Sequence, residues 1–441
     1  MREADKVPDV CGRVAACFAD YRDPSRTEHS LVALVRQRVF GLVLAYEDLT
    51  DHDVIRTDSM LALACGRSDL TGAKRPRARD RAYALAGSST LNRLELGSPE
   101  TARDHPYRKV AADEAKLDAA LVDAFLDMHA TPREEIVIDL DATDDPVHGK
   151  QEGGEYHGYY RRYCFLPLYI TCGNQVLAVR VRRSKIDAAK GALGELKRVV
   201  EQIRARWPGV RITVRGDSGF CRDRIMAWCE GEEGIRYLFG LAGNPRLQRK
   251  IAEDLEAAKA DCAESGEASR RFRELRYRTL ESWSCERRVV GKAEWLPGPP
   301  GSNPRFVVTD IPIEELDARV LYEDLYCARG EMENRIKEQQ LDLFADRTSA
   351  HELRANQLRA YFSAFAGVVI EIIRRFGLPG TELARAQAGT IRGKLLKIAG
   401  SIRVTTRRVW ISLSSAYPWQ SLFRRVARRL VAAKQSHPTP V

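Results

Sequence analysis

The chain has 441 residues, 44% hydrophobic and 30% charged, which excludes a disordered or fibrous protein and suggests two to four folded units. Lys and Arg number 71 against 61 Asp and Glu, a formal charge of +10, so a polyanion is the first partner to consider. The longest apolar stretch, from Ala360 to Ile370, is broken by Ser363 and followed by Glu371, far short of the ~20 residues that span a bilayer, and no membrane association is expected.

The opening segment MREADKVPDVCG lacks the basic-then-apolar layout of a signal peptide. A reducing, cytoplasmic setting is expected, with the ten cysteines as thiols. Cys164 and Cys172, like Cys221 and Cys229, are eight apart, and no C-x2-C pairs occur, so the cysteines predict no zinc site. Residues 1–130 read as a helical N-terminal domain that binds DNA: Ser30 to Leu49 and Asp113 to His129 carry apolar residues at three- and four-residue spacing. Between them Lys74, Arg75, Arg77, Arg79 and Arg81 crowd around Pro76, as a solvated linker or as an arm along phosphates.

From Arg133 the period changes. Strands are predicted around 135–142, 159–172 and 175–183, then a helix whose stripe is Ala189, Leu193, Leu196, Val200, Ile203 and Trp207. RITVRGD (Arg211 to Asp217) is a fourth strand, CRDRIMAWCE a helix, and Ile235 to Ala242 a fifth strand. The order β-β-β-α-β-α-β predicts an α/β fold, a mixed sheet with helices on its faces, as in a ribonuclease H-like catalytic core, whose first part is 131–244. Residues 245–320 read as a β-rich insertion subdomain behind an acidic helix from Gln248 to Glu264. Residues 321–345 form the core helix carrying the third acid, and 346–441 a helical, basic C-terminal region beginning with an apolar helix from Asn356 to Phe376.

Asp141 ends the first predicted strand and Asp217 the fourth, so neighbouring strands would bring their carboxylates together. In YCARGEMENRIKEQQLDLF, Tyr326, Arg329, Glu333, Lys337 and Gln340 recur at steps of three and four and share a helical face. Three converging carboxylates raise one another's pKa unless a cation neutralises them. Hard oxygen donors select Mg²⁺ or Mn²⁺. Two such ions about 4 Å apart suit phosphoryl transfer on nucleic acid. Gly216 to Gly219, GDSG, also matches the surroundings of some serine nucleophiles, but Asp217 at a strand end suits a metal ligand better.

The segments IDLDATDDPVHGKQEGGEYHGYYRRYCFLPLY, VRGDSGFCRDRIMAWCE, YLFGLAGNPRL and LYCARGEMENRIKEQQLDLFADRTSAHELRANQLR resemble DDE transposases of bacterial insertion sequences, specifically insertion-sequence family thirteen-eighty, related to the group with a Tyr-x2-Arg-x3-Glu-x6-Lys signature. The similarity runs from about residue 20 to 410. The resemblance implies a cut-and-paste enzyme with two Mg²⁺ or Mn²⁺ ions, acting on double-stranded DNA with terminal inverted repeats, as a homodimer at paired ends and near the nucleoid. It also implies a start shortened relative to the family. Carried over by position, Asp141, Asp217 and Glu333 are the catalytic and metal-binding acids, with Asp139 the rival for the first. Tyr326 and Arg329 take the signature Tyr and Arg. The Lys place falls on Gln340, with Lys337 as the nearest base. Hairpin-forming relatives stack a flipped base on a tryptophan of the insertion, for which Trp283, beside Arg287 and Arg288, and Trp295 are candidates.

From Ile391 to Val441 there are eleven Lys and Arg and no Asp or Glu. Arg407 and Arg408, with Arg424, Arg425, Arg428 and Arg429 near Trp410, Trp419 and Phe423, are expected on the DNA backbone. The rival readings are a catalytically inactive DNA-binding repressor and a metal-dependent nuclease without strand transfer.

Overall fold

A computed structural model describes residues 1–147, 149–405 and 408–436. An eight-stranded sheet organises the chain. Its strands are β1 (Glu135–Ala142), β2 (Leu168–Cys172), β3 (Gln175–Arg180), β4 (Arg211–Gly216), β5 (Ile235–Leu241), β6 (Ser269–Tyr277), β7 (Arg287–Trp295) and β8 (Arg305–Thr309). They lie in the order β6-β7-β8-β5-β4-β1-β2-β3. β1, β4 and β5 run parallel, whereas β2 pairs antiparallel with β1 and β3 with β2. The molecule is therefore mixed α/β around a large mixed sheet. Buried Ile136, Ile138 and Leu140 of β1 meet Ile212 and Val214 of β4 and the helix Ala192–Arg206, which turns Leu196, Val199, Val200 and Ile203 inward.

Three expectations are corrected. The strand predicted over 159–172 splits: Pro167 has no N–H to give a ladder, so Arg162–Phe165 joins a separate three-stranded sheet and only Leu168–Cys172 pairs with β1. The β-rich stretch of 245–320 is not set apart as a subdomain, because β8 pairs antiparallel with β5 and carries β7 and β6 onto the same sheet. The C-terminal region is not wholly helical: Gly400–Val404 and Val409–Leu413 form a hairpin.

One helix, Leu353–Ile372, joins the terminal regions to the sheet. Nearly every residue of it is buried, and it packs on both Leu31–Val43 and β3. Its Gln357 finishes the β3 end of the sheet, the side-chain amide donating to Val179 O at 2.9 Å and accepting from Val181 N at 2.7 Å. Buried Glu95 takes Arg38 at 2.8 Å and Arg359 of this helix at 2.7 Å, so its charge is doubly answered. Among the described residues no helix is long and apolar enough to cross a membrane. All ten cysteines are free thiols.

Candidate functional site

Parallel pairing of β1 with β4 sets Asp139 opposite Arg215 and Leu140 opposite Gly216, which brings the β1 end with Asp141 beside the β4 end with Asp217. Period-two alternation puts Asp139 and Asp141 on one side of β1, yet they meet different partners. Asp139 is buried and held by both nitrogens of the Arg215 fork, at 2.6 and 2.9 Å. Arg215 also donates to Leu325 O, tying the segment that leads to the third acid onto β1 and β4. Asp139 is therefore occupied by a structural arginine. The sequence reading passed over Arg215, although its place two residues before Asp217 was visible.

The segment bearing Glu333 is not one regular α-helix. Wide π-type turns at Leu321–Tyr326 and Glu338–Asp342 flank the α-helix Arg329–Lys337; such turns recur at functional sites. They shift the face expected from four-residue spacing. Arg329, Glu333 and Lys337 stay in register, while Gln340 falls in the second wide turn and donates to Asp144 O at 3.3 Å. Lys337 is exposed.

Arg329 links two of the acids: its guanidinium donates to Asp141 at 2.5 Å and to Glu333 at 2.6 Å. Burial opposes its charge, but Asp141, Asp217 and Glu333 outweigh this and hold it above its ordinary value. Its buried Nε has no partner. Asp141 is pushed up to about 6, first by burial and then by Asp217, Glu333 and Asp139, with Arg329 only partly offsetting them. One arginine faces three acids, so the cleft keeps surplus negative charge. Asp217 accepts from Gly219 N at 2.8 Å. Tyr326 packs beside it over Gly240, where an added Cβ would lie 2.5 Å from the Tyr326 hydroxyl and 3.0 Å from Ser218 N. Glycine is needed there for the close approach.

Among the described residues, no three His, Cys, Asp or Glu side chains form a ready cation cage. The donor chemistry nonetheless fits a hard divalent ion. The groups are carboxylate oxygens, and two of them already grip a cation in the form of Arg329.

The other expected DNA contacts divide. Trp283 is 3% exposed and packs edge-to-face on Tyr277, and Trp295 is covered by Lys259 and Gly301. Arg287 is buried against Asp223 and Glu230, and Arg288 against Glu274. Trp283, Arg287 and Arg288 are core residues here, which corrects the expectation that they meet a base or phosphate. Arg407 lies outside the described residues, while Arg408 sits 6.0 Å over the Trp410 ring. Lys74, Arg77, Arg79 and Arg81 are exposed, whereas Arg75 is tied to Glu28. The helix Gln420–Ser436 buries Leu422, Val426 and Leu430 and exposes Arg424, Arg425 and Arg428; Arg429 donates to Gly377 O and Pro379 O.

Over residues 1–435 the chain matches the family described as transposase DDE domain, group 1. No curated protein matches it. A cryo-EM structure of the piggyBac transposase synaptic complex with hairpin DNA is similar at 10% identity and a TM-score of 0.42, covering 100% of this chain and 82% of that one.

Proposed function

The chain belongs to the transposase DDE domain family, group 1, and from that premise we propose that it cleaves DNA at the inverted-repeat ends of an insertion sequence and joins those ends to a target. Its motifs resemble those of insertion-sequence family thirteen-eighty. The observation that carries the reading is the convergence of Asp141, Asp217 and Glu333 on Arg329. The strand order β3-β2-β1-β4-β5 within the sheet supports a ribonuclease H-like core, in which Asp141 and Asp217 sit at the ends of adjacent strands and Glu333 on a helix.

Asp141, Asp217 and Glu333 would hold two Mg²⁺ or Mn²⁺ ions. When bound, these supply an activated water or 3′-hydroxyl and stabilise the leaving oxygen of the phosphodiester. Asp141 must be ionised to take part; burial and the neighbouring acids hold its carboxyl up to about 6 in the free chain, and a divalent cation bound among the acids would favour the ionised form. Arg329 holds Asp141 and Glu333 together in the free chain and is a donor available to a phosphate oxygen. Tyr326 and Gly240 fix the Asp217 turn from below. Asp139 and Arg215 keep the acid-bearing helix seated on β1 and β4. DNA is gripped by the basic faces of Lys74 to Arg81 and of Gln420–Ser436, with Arg408, and by Lys337 on the helix that carries Glu333. Two copies hold the paired ends.

The test is cleavage and strand transfer, in Mg²⁺, of DNA carrying the inverted repeats that flank the reading frame. Wild type is expected to cut at the ends and join them, and Asp217→Ala to bind without cutting. Binding without cleavage by wild type would identify a repressor instead, and cutting without joining a nuclease.

A further inference from the structure

Between β1 and β2 the chain leaves the main sheet as a short hairpin, Glu155–His157 paired antiparallel with Arg162–Phe165. A two-stranded hairpin of this length is marginal in water by itself, so its anchors matter. Phe165 and Cys164 are fully buried, Cys164 also pairs with Pro146, and the Ser184 hydroxyl donates to Glu155 O at 2.8 Å. The base is fixed, and the rest projects into solvent.

What projects is aromatic and basic. Tyr156 is 46%, Tyr159 84% and Tyr163 62% exposed, with Arg161 and Arg162 exposed between them. Tyr156 and Tyr163 are cross-strand partners whose rings meet edge-to-face at 5.6 Å, and Tyr159 meets Tyr160 edge-to-face at 5.0 Å. Arg161 takes φ 55, a left-handed conformation that is uncommon for a residue with a side chain. Single exposed tyrosines are ordinary, but beyond the Tyr156–Tyr163 pair folding gains little from three wet rings crowded into eight residues.

The hairpin also lies beside the acids. The Tyr160 hydroxyl donates to the carbonyl of Ala142, next to Asp141, at 3.4 Å. Burial and then the charges of Asp144, Asp141 and Asp217 push that hydroxyl up to about 12. An intact duplex hides its base faces by stacking them on each other, so aromatic faces alternating with arginines suit unpaired nucleotides instead.

We propose that this tyrosine hairpin binds unpaired nucleotides at a DNA strand end, with Tyr159 and Tyr163 stacking on bases and Arg161 meeting the adjacent phosphate. The assignment rests on the transposase reading only for DNA as the partner.

The experiment measures binding of the full chain by fluorescence anisotropy, in EDTA so that no cleavage occurs. The probes are a blunt duplex, the same duplex with a short oligothymidylate overhang, and one with an abasic overhang. Wild type is expected to prefer the thymidylate overhang by on the order of tenfold over the other two. Tyr159→Ala with Tyr163→Ala removes the preference and leaves blunt-duplex affinity unchanged, while Tyr159→Phe with Tyr163→Phe keeps it. Unchanged circular dichroism and melting temperature show that the alanine variant is folded. Equal affinity of wild type for all three probes, or a preference that survives both alanines, overturns the assignment. A chain that prefers overhangs yet never cuts end-bearing DNA overturns the transposase reading and leaves the hairpin standing. A chain that cuts without the preference does the reverse, and binding to no probe counts against both.

Discussion

The two flanks of the central sheet carry charge in opposite ways. On the β6–β8 side, buried basic groups have acids of their own: Arg287 has Asp223 and Glu230, Arg288 has Glu274, and Lys292 has Glu294 at 2.5 Å. At the ends of β1 and β4 the same pairing occurs once, between Asp139 and Arg215, and then stops. Asp141, Asp217 and Glu333 are left to share Arg329. Matched charge satisfies a fold at a cost that geometry repays, whereas surplus charge in a cleft is poised to take a cation or to act on phosphate. A run of acids and bases in sequence looks the same in both places, and only the pairing tells them apart.

The sharpest way to break this contrast is to remove charge from each side. Glu333→Gln is expected to reduce DNA cleavage by a factor on the order of a thousand or more, about 4 kcal/mol of barrier, and to leave DNA affinity within about twofold. A large affinity loss in a filter-binding titration would make Glu333 structural. Arg287→Ala, on the matched side, leaves Asp223 and Glu230 facing a buried gap. It is expected to cost about 2–4 kcal/mol in urea unfolding, without a specific effect on the cleavage rate of the protein that stays folded.

A smaller effect runs in the stabilising direction. Asp141 is raised to about 6 from an ordinary 3.8, so the folded state binds a proton there more tightly than the unfolded chain. The stability this gives is present below about pH 4 and is lost as pH rises through 6. Asp141→Asn is therefore expected to gain about 1–3 kcal/mol at pH 7.5, and the gain should vanish near pH 4 in parallel denaturant titrations. Gly240→Ala, which presses a methyl group on the Tyr326 hydroxyl and Ser218 N, is expected to cost about 1–3 kcal/mol and to slow cleavage by displacing the Asp217 turn. Unaltered rate and melting temperature would mean that Tyr326 moves aside freely.

Much of the sheet's parallel half was readable from periodicity, because β1, β4 and β5 are apolar runs bounded by helices with clear stripes. The acids at the ends of β1 and β4 followed from those runs. Other features were hidden in non-local pairing. Nothing local distinguishes Asp139 from Asp141; the difference is Arg215, opposite Asp139 across β1 and β4. Trp283, Arg287 and Arg288 look like a nucleic-acid patch in sequence, but Arg287 is buried against the acids of helix Asp223–Gly231, Arg288 against Glu274 and the carbonyls of Ile311 and Leu316, and Trp283 against Tyr277. The wide turns around Glu333 leave no mark in residue spacing, so the place of Gln340 was misjudged. The second arm of the tyrosine hairpin was read as part of one strand over 159–172, since its β-rich run shows no break before Pro167.

The claim at the centre is that Asp141, Asp217 and Glu333 form a single cation-binding cleft. Electron paramagnetic resonance of Mn²⁺ titrated onto the DNA-bound protein tests it without requiring turnover. Wild type is expected to retain bound Mn²⁺, and Asp141→Asn, Asp217→Ala and Glu333→Gln each to lose it, with DNA still bound. Variants that hold as many ions as wild type, with the same spectrum, would contradict the account.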